Sequence, residues 1–391
     1  MTAVRDTAIT RRTVLKGAAG AAAATALGGT FAETALAGRS GPLWRVAQRR
    51  GIAYGAAIAT WMFEDDEYMR LIKRHASVIF TQDDFLWYVL KPSRNEPINF
   101  EHSDQIVAKC EENKQLVFGA HLVWDEGFGE GWGEDELFKL SKPEAEELLY
   151  GTVEATVKRY KGRIAGWIVV NEAISNEGVK GMRTDYPWYQ TIGREYVAES
   201  FRLTRSLDPD AVLVLNEFGF ETVNQYGDKP GPRRKAALQV IDELQKANVP
   251  LDAFGVQAHL LADHFEQRFN RKAYRRFLAE LADRGLDILI TELDVLDDGL
   301  PKNKSIRARA VGEVYKRYLD VTLREPAVKS VMTFGLSDRY TWLQEDYPRE
   351  DGAQRLALPY DTKLRRQPAY DALHRELRTA RKRKALWKRP V

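Results

Sequence analysis

The stretch "GWIVVNEA" (166–173) reads as a buried strand that stops abruptly at Asn171-Glu172. A carboxylate placed where a strand leaves a dry core needs water, a partner or a chemical role. Seven other short apolar runs share this design: "IAYGAAIA" (52–59), "SVIFTQ" (77–82), "LVFGAHLVW" (116–124), "VLVLNEFGF" (212–220), "AFGVQAHL" (253–260), "DILITELDV" (287–295) and "SVMTFGLSD" (330–338). Between them lie segments of helical period, such as Pro143 to Tyr160, Trp188 to Leu207, Arg233 to Ala247 and Ser305 to Leu323. Eight strand-then-helix units without a Pro/Gly/Ser-rich linker or a tandem repeat predict one α/β domain, a single (β/α)₈ TIM barrel. Its active site is then expected at the C-terminal ends of the strands.

Polar residues gather at those ends. Asp83 and Asp84 follow the second run, Trp124-Asp125-Glu126 the third and Asn171-Glu172 the fourth. Asn216-Glu217, Gln257 with His259, Glu292 with Asp294, and Ser337-Asp338 complete the set. So many polar groups at one mouth predict a polar binding cleft. Glu172 and Glu292, on the fourth and seventh strands, lie across the mouth of a closed barrel. Two facing carboxyl groups with different surroundings are what glycoside hydrolysis requires: one donates a proton to the leaving oxygen, the other attacks or activates water.

The 391 residues are 44% apolar and 29% charged, which suits one large core and excludes disorder. A net charge of +3 from 59 basic and 56 acidic side chains supplies no general field for nucleic acid or membrane. The basic excess is local, in "RELRTARKRKALWKR" (375–389), and is expected to form a solvated terminal helix. At the other end, "TRRTVLKG" (10–17), a small-residue apolar run (18–29) and "ALA" (35–37) make an export signal, with Arg11-Arg12 of twin-arginine type. The run is too short to span a bilayer, and the single Cys110 forms no internal disulfide, as suits an exported chain. The expected organisation is a signal over 1–37, a catalytic domain over 43–373 and a basic tail over 374–391, in a monomer exported to the periplasm or medium.

The motifs themselves resemble a known family. "WIVVNEA" is similar to the acid/base motif of glycoside hydrolase family 10, the endo-β-1,4-xylanase family, and "ITELDV" (290–295) to its nucleophile motif. Further matches run in the family's order through "GAHLVW", Asp185 to Glu221, "FGVQAHL" and "TFGLSDRYTWL" (333–343), covering roughly Tyr54 to Tyr370. The resemblance implies that Glu172 is the general acid/base and Glu292 the nucleophile of a retaining mechanism. It gives Asn171 the contact to a sugar 2-hydroxyl, places His259 and Asp294 beside Glu292, and makes Gln257, Trp124 and Trp342 sugar contacts. The implied partner is a polysaccharide or oligosaccharide, with no nucleic acid and no membrane span.

Departures cluster near the second strand. "QDDFLW" supplies Gln82, Asp83 and Leu86 where the family has a Glu-Asn pair and a lysine; Phe334 replaces a tryptophan, and Ala120 stands at a histidine position. Strand alternation would turn His121 away from the face of Ala120, Leu122 and Trp124, as a structural histidine. Asp83 and Phe334 are nonetheless expected to line the sugar site. The rewritten clamp predicts slow cleavage of linear unsubstituted xylan. Two other readings remain: a retaining β-glycosidase of non-xylan specificity, and a catalytically silent carbohydrate-binding barrel. A metal hydrolase using Asp83, His259, Glu292 and Asp294 lacks any His-x-His or His-Glu-x-x-His pair, and no Gly-rich phosphate loop follows a strand, so neither metal nor cofactor is expected.

Overall fold

A computed structural model describes residues 41–389 except Glu134 and Gln225; the export-signal reading falls outside them. Eight parallel strands form a closed barrel: β1 (Ala53–Ile58), β2 (Val78–Thr81), β3 (Leu116–Gly119), β4 (Gly166–Asn171), β5 (Val212–Glu217), β6 (Ala253–Val256), β7 (Asp287–Leu296) and β8 (Val328–Thr333). They pair in chain order, and β8 closes the sheet by pairing with both β7 and β1. The predicted (β/α)₈ class is therefore the observed one.

Alternation along the strands builds two cores. On β1, Ala53 and Ala57 face the barrel interior with Phe80, Phe118, Ile168, Val214, Leu289 and Met332. Tyr54, Ala56 and Ile58 face outward, with Trp167 and Val169 of β4, into the larger core beneath the helices. Space inside is tight: a Cβ on Gly55 would lie 2.7 Å from Met332 Cγ, so glycine there makes room for the methionine. The surrounding helices start where capping chemistry starts them. Ser141 and Glu144 form a reciprocal capping box for Lys142–Tyr160, Asn270 caps Arg271–Asp283, and Asn303 caps Lys304–Thr322.

Two short strands decorate the mouth. Ile174–Val179 runs out after β4 and turns back through bridges to Met182. His259–Leu261 pairs with the end of β7. The run expected as one strand over 253–260 is thus broken at Gln257-Ala258, where Ala258 takes a left-handed φ of 63°.

Only the start of the basic C-terminal segment, residues 375–379, is helical, and the rest is not the expected solvated helix. The helix Pro368–Thr379 ends there, and the chain then straps across the N-terminal floor of the barrel. Arg383 donates to the carbonyls of Leu323, Glu325 and Val328, and Trp387 donates to Ala165 O at 3.1 Å while packing on Phe118. Carbonyls left over at helix and strand ends explain the preference for arginine donors over water. Among the described residues no helix is long and apolar enough to cross a membrane.

Candidate active site

The C-terminal ends of β4 to β7 bring polar side chains into one hydrogen-bonded chain. Gln257 Nε2 donates to Glu172 Oε1 at 2.7 Å and to Asn171 Oδ1 at 3.3 Å. Asn216 Nδ2 donates to that same Asn171 Oδ1 at 2.8 Å and to Glu292 Oε1 at 2.8 Å. The two carboxylates are thereby linked through amides alone. All five residues are buried, so their lone pairs need these partners.

Local backbone features aim these groups. A register shift between Ile168 and Val170 marks a bulge in β4, which re-aims the residues that follow. Glu172 itself has φ 58°, a left-handed conformation that costs a non-glycine residue about 1–3 kcal/mol and persists only where its surroundings impose it. The Glu172 N–H donates to Asn216 O, and Trp124 Nε1 donates to Glu172 Oε2 at 2.9 Å. On β6, a Cβ at position 255 would sit 2.2 Å from Asn216 Oδ1, so only Gly255 leaves space for the amide. Thr291 Oγ1 donates to that oxygen at 2.8 Å, which fixes the amide's orientation with its NH₂ toward Glu292.

Beside Glu292 a charged relay runs toward the rim. His259 Nε2 makes a 3.4 Å ionic contact with Glu292 Oε2, and His259 Nδ1 lies 2.8 Å from Asp294 Oδ1. Trp342 Nε1 donates to Asp294 Oδ2 at 2.7 Å. Burial opposes charge on the imidazole, but Asp294 and Glu292 outweigh it and lift His259 to about 10, so the ring is an imidazolium at neutral pH. Beside Glu172 stands a second set of charges. Arg183, returned by the hairpin after Ala173, donates to Asp125 Oδ2 at 2.6 Å and to the Glu172 carbonyl at 3.2 Å. Burial raises Asp125 to about 7 against the pull of Arg183, and Glu126 and Glu172 push it the same way as burial. Carboxylate oxygens of Asp125, Glu126 and Glu172 lie within 4.8 Å of one another. Arg183 supplies the counter-charge of this group, and we assign it no metal.

An aromatic wall closes the floor of the cleft. Phe334 meets Phe80, His259 and Trp342 at ring separations of 5.7, 5.5 and 6.3 Å. His121 corrects its sequence reading: it stacks on Trp124 at 5.1 Å and meets the edge of Phe80 at 5.9 Å, on the site's side of β3. The reason is that β3 ends at Gly119, so strand alternation does not extend that far. Ala120 is fully buried in the barrel interior. Asp83 lies at the rim after β2, where its Oδ2 accepts from Trp61 Nε1 at 2.8 Å.

Of the residues expected from sequence, Glu172, Glu292, Asn171, Gln257, His259, Asp294, Trp124 and Trp342 all meet in this one network. Asn216, Thr291 and Arg183 were missed as parts of the site. Asn216 was visible as a polar residue at a strand end, but nothing in its neighbours distinguished it from the unused polar residues there.

With this geometry in place, comparison with known proteins is decisive. Residues 43–376 match Glycosyl hydrolase family 10. The chain belongs to that family. It is a glycoside hydrolase. It is 30% identical over 346 residues to Endo-1,4-beta-xylanase B of Thermotoga neapolitana, covering 86% of this chain and 91% of that protein. It is 28% identical to Endo-1,4-beta-xylanase 5 of Pyricularia oryzae, covering 84% and 76%. Native xylanase 10B from Thermotoga maritima superposes with a TM-score of 0.75 at 29% identity, covering 86% of this chain and 98% of that one.

Proposed function

We propose that this family 10 hydrolase is a retaining endo-1,4-β-xylanase-like enzyme that works by double displacement. The observation that carries the reading is the amide chain joining Glu172 to Glu292 through Gln257, Asn171 and Asn216. It holds two carboxyl groups from opposite strands in fixed relation, each with different partners. The relatives' xylanase names support the glycan class.

In the first step a Glu292 oxygen attacks the anomeric carbon, the bond from that carbon to the glycosidic oxygen breaks, and Glu172 gives its proton to that oxygen. His259 and Asn216 contact the two Glu292 oxygens and orient the carboxyl group for attack. In the second step Glu172 takes a proton from water, the water oxygen attacks the same carbon, and Glu292 departs as a carboxylate. Two inversions give net retention, which requires carboxyl groups about 5–5.5 Å apart. Asn171 faces the 2-hydroxyl; Gln257, His259, Trp124, Trp342, Phe334 and Asp83 line the sugar-binding wall.

The decisive experiment is incubation with a 2-deoxy-2-fluoro-β-xylobioside carrying a good leaving group, followed by peptide mass mapping. A stable adduct on Glu292 is expected. An unlabelled Glu292, or product released with inverted anomeric configuration, sinks the nucleophile assignment. The N-terminal Arg11-Arg12 signal supports export of the enzyme to the periplasm or medium, where its polymeric substrate lies; fractionation of cells expressing the full chain, with Arg11→Lys/Arg12→Lys retained inside, tests that.

A further inference from the structure

The rim after β1 carries a tryptophan that the chemistry above does not use. Trp61 stands in a 3₁₀ turn (Thr60–Met62) at the C-terminal end of β1 and is 47% exposed. An exposed indole is commonly mobile, but this one is held by its neighbours. Its Nε1–H, the only polar group it has, donates to Asp83 Oδ2 at 2.8 Å. Its ring meets Tyr340 edge-to-face at 5.5 Å. Tyr340 in turn is fixed, because its hydroxyl donates to Asp65 Oδ2 at 2.9 Å, and Asp65 also accepts from Arg339 and from the Tyr68 N–H at the start of the helix Asp66–His75. Residues from the ends of β1, β2 and β8 therefore converge to present one aromatic surface to solvent at the cleft rim.

Exposed apolar side chains are ordinary on a surface, but this one combines its exposure with a fixed position at the cleft rim, set by a hydrogen bond and a ring contact. The arrangement suits a ligand with an apolar face and polar edges. The C–H face of a pyranose is such a surface, and an indole is the largest flat partner a protein can offer it. Prior fixation of the ring lowers the ordering cost of each contact.

We propose that Trp61 is a sugar-stacking platform, locked by Asp83 and braced by Tyr340, that binds one unit of the glycan chain at a subsite beyond the glutamate pair. The proposal rests on the glycan-hydrolase reading above and deepens it. It also gives Asp83 a second role, because its carboxylate orients the platform, which an apolar residue at that position could not do.

The test measures kcat/KM for the wild type, Trp61→Ala, Trp61→Phe and Asp83→Ala on linear β-1,4-xylo-oligosaccharides of two to six units, with the cello-series in parallel. Trp61→Ala is expected to lose about tenfold more on the six-unit chain than on the two-unit one, with the loss mainly in KM. Trp61→Phe should keep most of the length dependence, and Asp83→Ala should lose part of it. An equal loss at every length, or no loss, overturns the platform. So does a change in sedimentation with hydrolysis intact, which would assign the indole to a protein contact. Should the wild type cleave neither series, the functional reading fails on its own, and retardation in gels containing soluble xylan then judges the platform: Trp61→Ala must be retarded less than wild type, and equal migration overturns it.

Discussion

Replacing Asn216 by alanine tests whether the amide chain governs catalysis. The side chain gives one hydrogen bond to the Glu292 carboxylate and one to Asn171, and takes one from Thr291. A bond to a charged group is worth about 1.5–3 kcal/mol and a neutral one about 0.5–1.5 kcal/mol. If only the charged bond bears on the attacking oxygen, kcat falls about 10- to 150-fold, at roughly 1.4 kcal/mol per factor of ten. Losing the other two bonds destabilises the fold without adding to the kinetic effect. The assay is the burst of phenol released from an aryl β-xylobioside with a good leaving group, which reads the first step, where Glu172 contributes least and Glu292 most; kcat here means the rate constant of that step. Asn216→Asp, which places an acceptor against Glu292, should be at least as slow as Asn216→Ala. Gly255→Ala should mimic both, because its methyl group would displace the Asn216 amide oxygen from 2.2 Å away. A folded Asn216→Ala enzyme within twofold of wild type in kcat refutes the reasoning. A change confined to KM would make Asn216 a binding residue instead.

Other expectations concern neighbouring groups. Because His259 is raised from 6.5 to about 10, its contribution to stability is complete below pH 6.5 and is lost as pH rises toward 10. Burial also lifts Glu217 to about 8, so the readout is the difference between wild type and Asp294→Asn in unfolding free energy from pH 6 to 9.5; parallel curves would refute the relay. Arg183→Met leaves Asp125 beside Glu172 without its cation and should cost about 2–3 kcal/mol in urea unfolding, less than a fully buried pair because Arg183 keeps 21% exposure. Trp387→Ala should cost about 2–4 kcal/mol of stability while leaving kcat within twofold, since the ring packs at the floor far from the cleft. For linear xylan, the absence of a lysine donor at Leu86 predicts kcat/KM below about 10⁴ M⁻¹s⁻¹, and a value within the efficient range above that shows the clamp unaltered in effect.

Much of this was legible in the chain, for identifiable reasons. Strands buried on both faces make continuous apolar runs, so all eight could be found, and a polar residue ending such a run marks the mouth. What escaped depended on contacts distant in sequence or on breaks in periodicity. His121 follows a strand that ends two residues earlier, so alternation pointed it the wrong way. The terminal segment looked solvated because arginines dominate it, yet its donors meet backbone carbonyls of Leu323, Glu325 and Val328, which no side-chain pattern reveals. Asn216 owes its role to a glycine on the adjacent strand, and Trp61 to a carboxylate 22 positions away.

That terminal strap has a consequence for handling and display of the enzyme. Arg389 lies over the Trp44 ring at 4.7 Å and donates to the Asn113 and Lys114 carbonyls, so the first described helix and the last described residues meet on one side of the molecule. Trp44 precedes β1 and Lys114 precedes β3, which puts that meeting point opposite the cleft. A tether or fused module joined directly to the first or last described residues, Gly41 or Arg389, would hang from the barrel's underside. An enzyme anchored that way to a bead or surface would present its open mouth outward to an insoluble polymer.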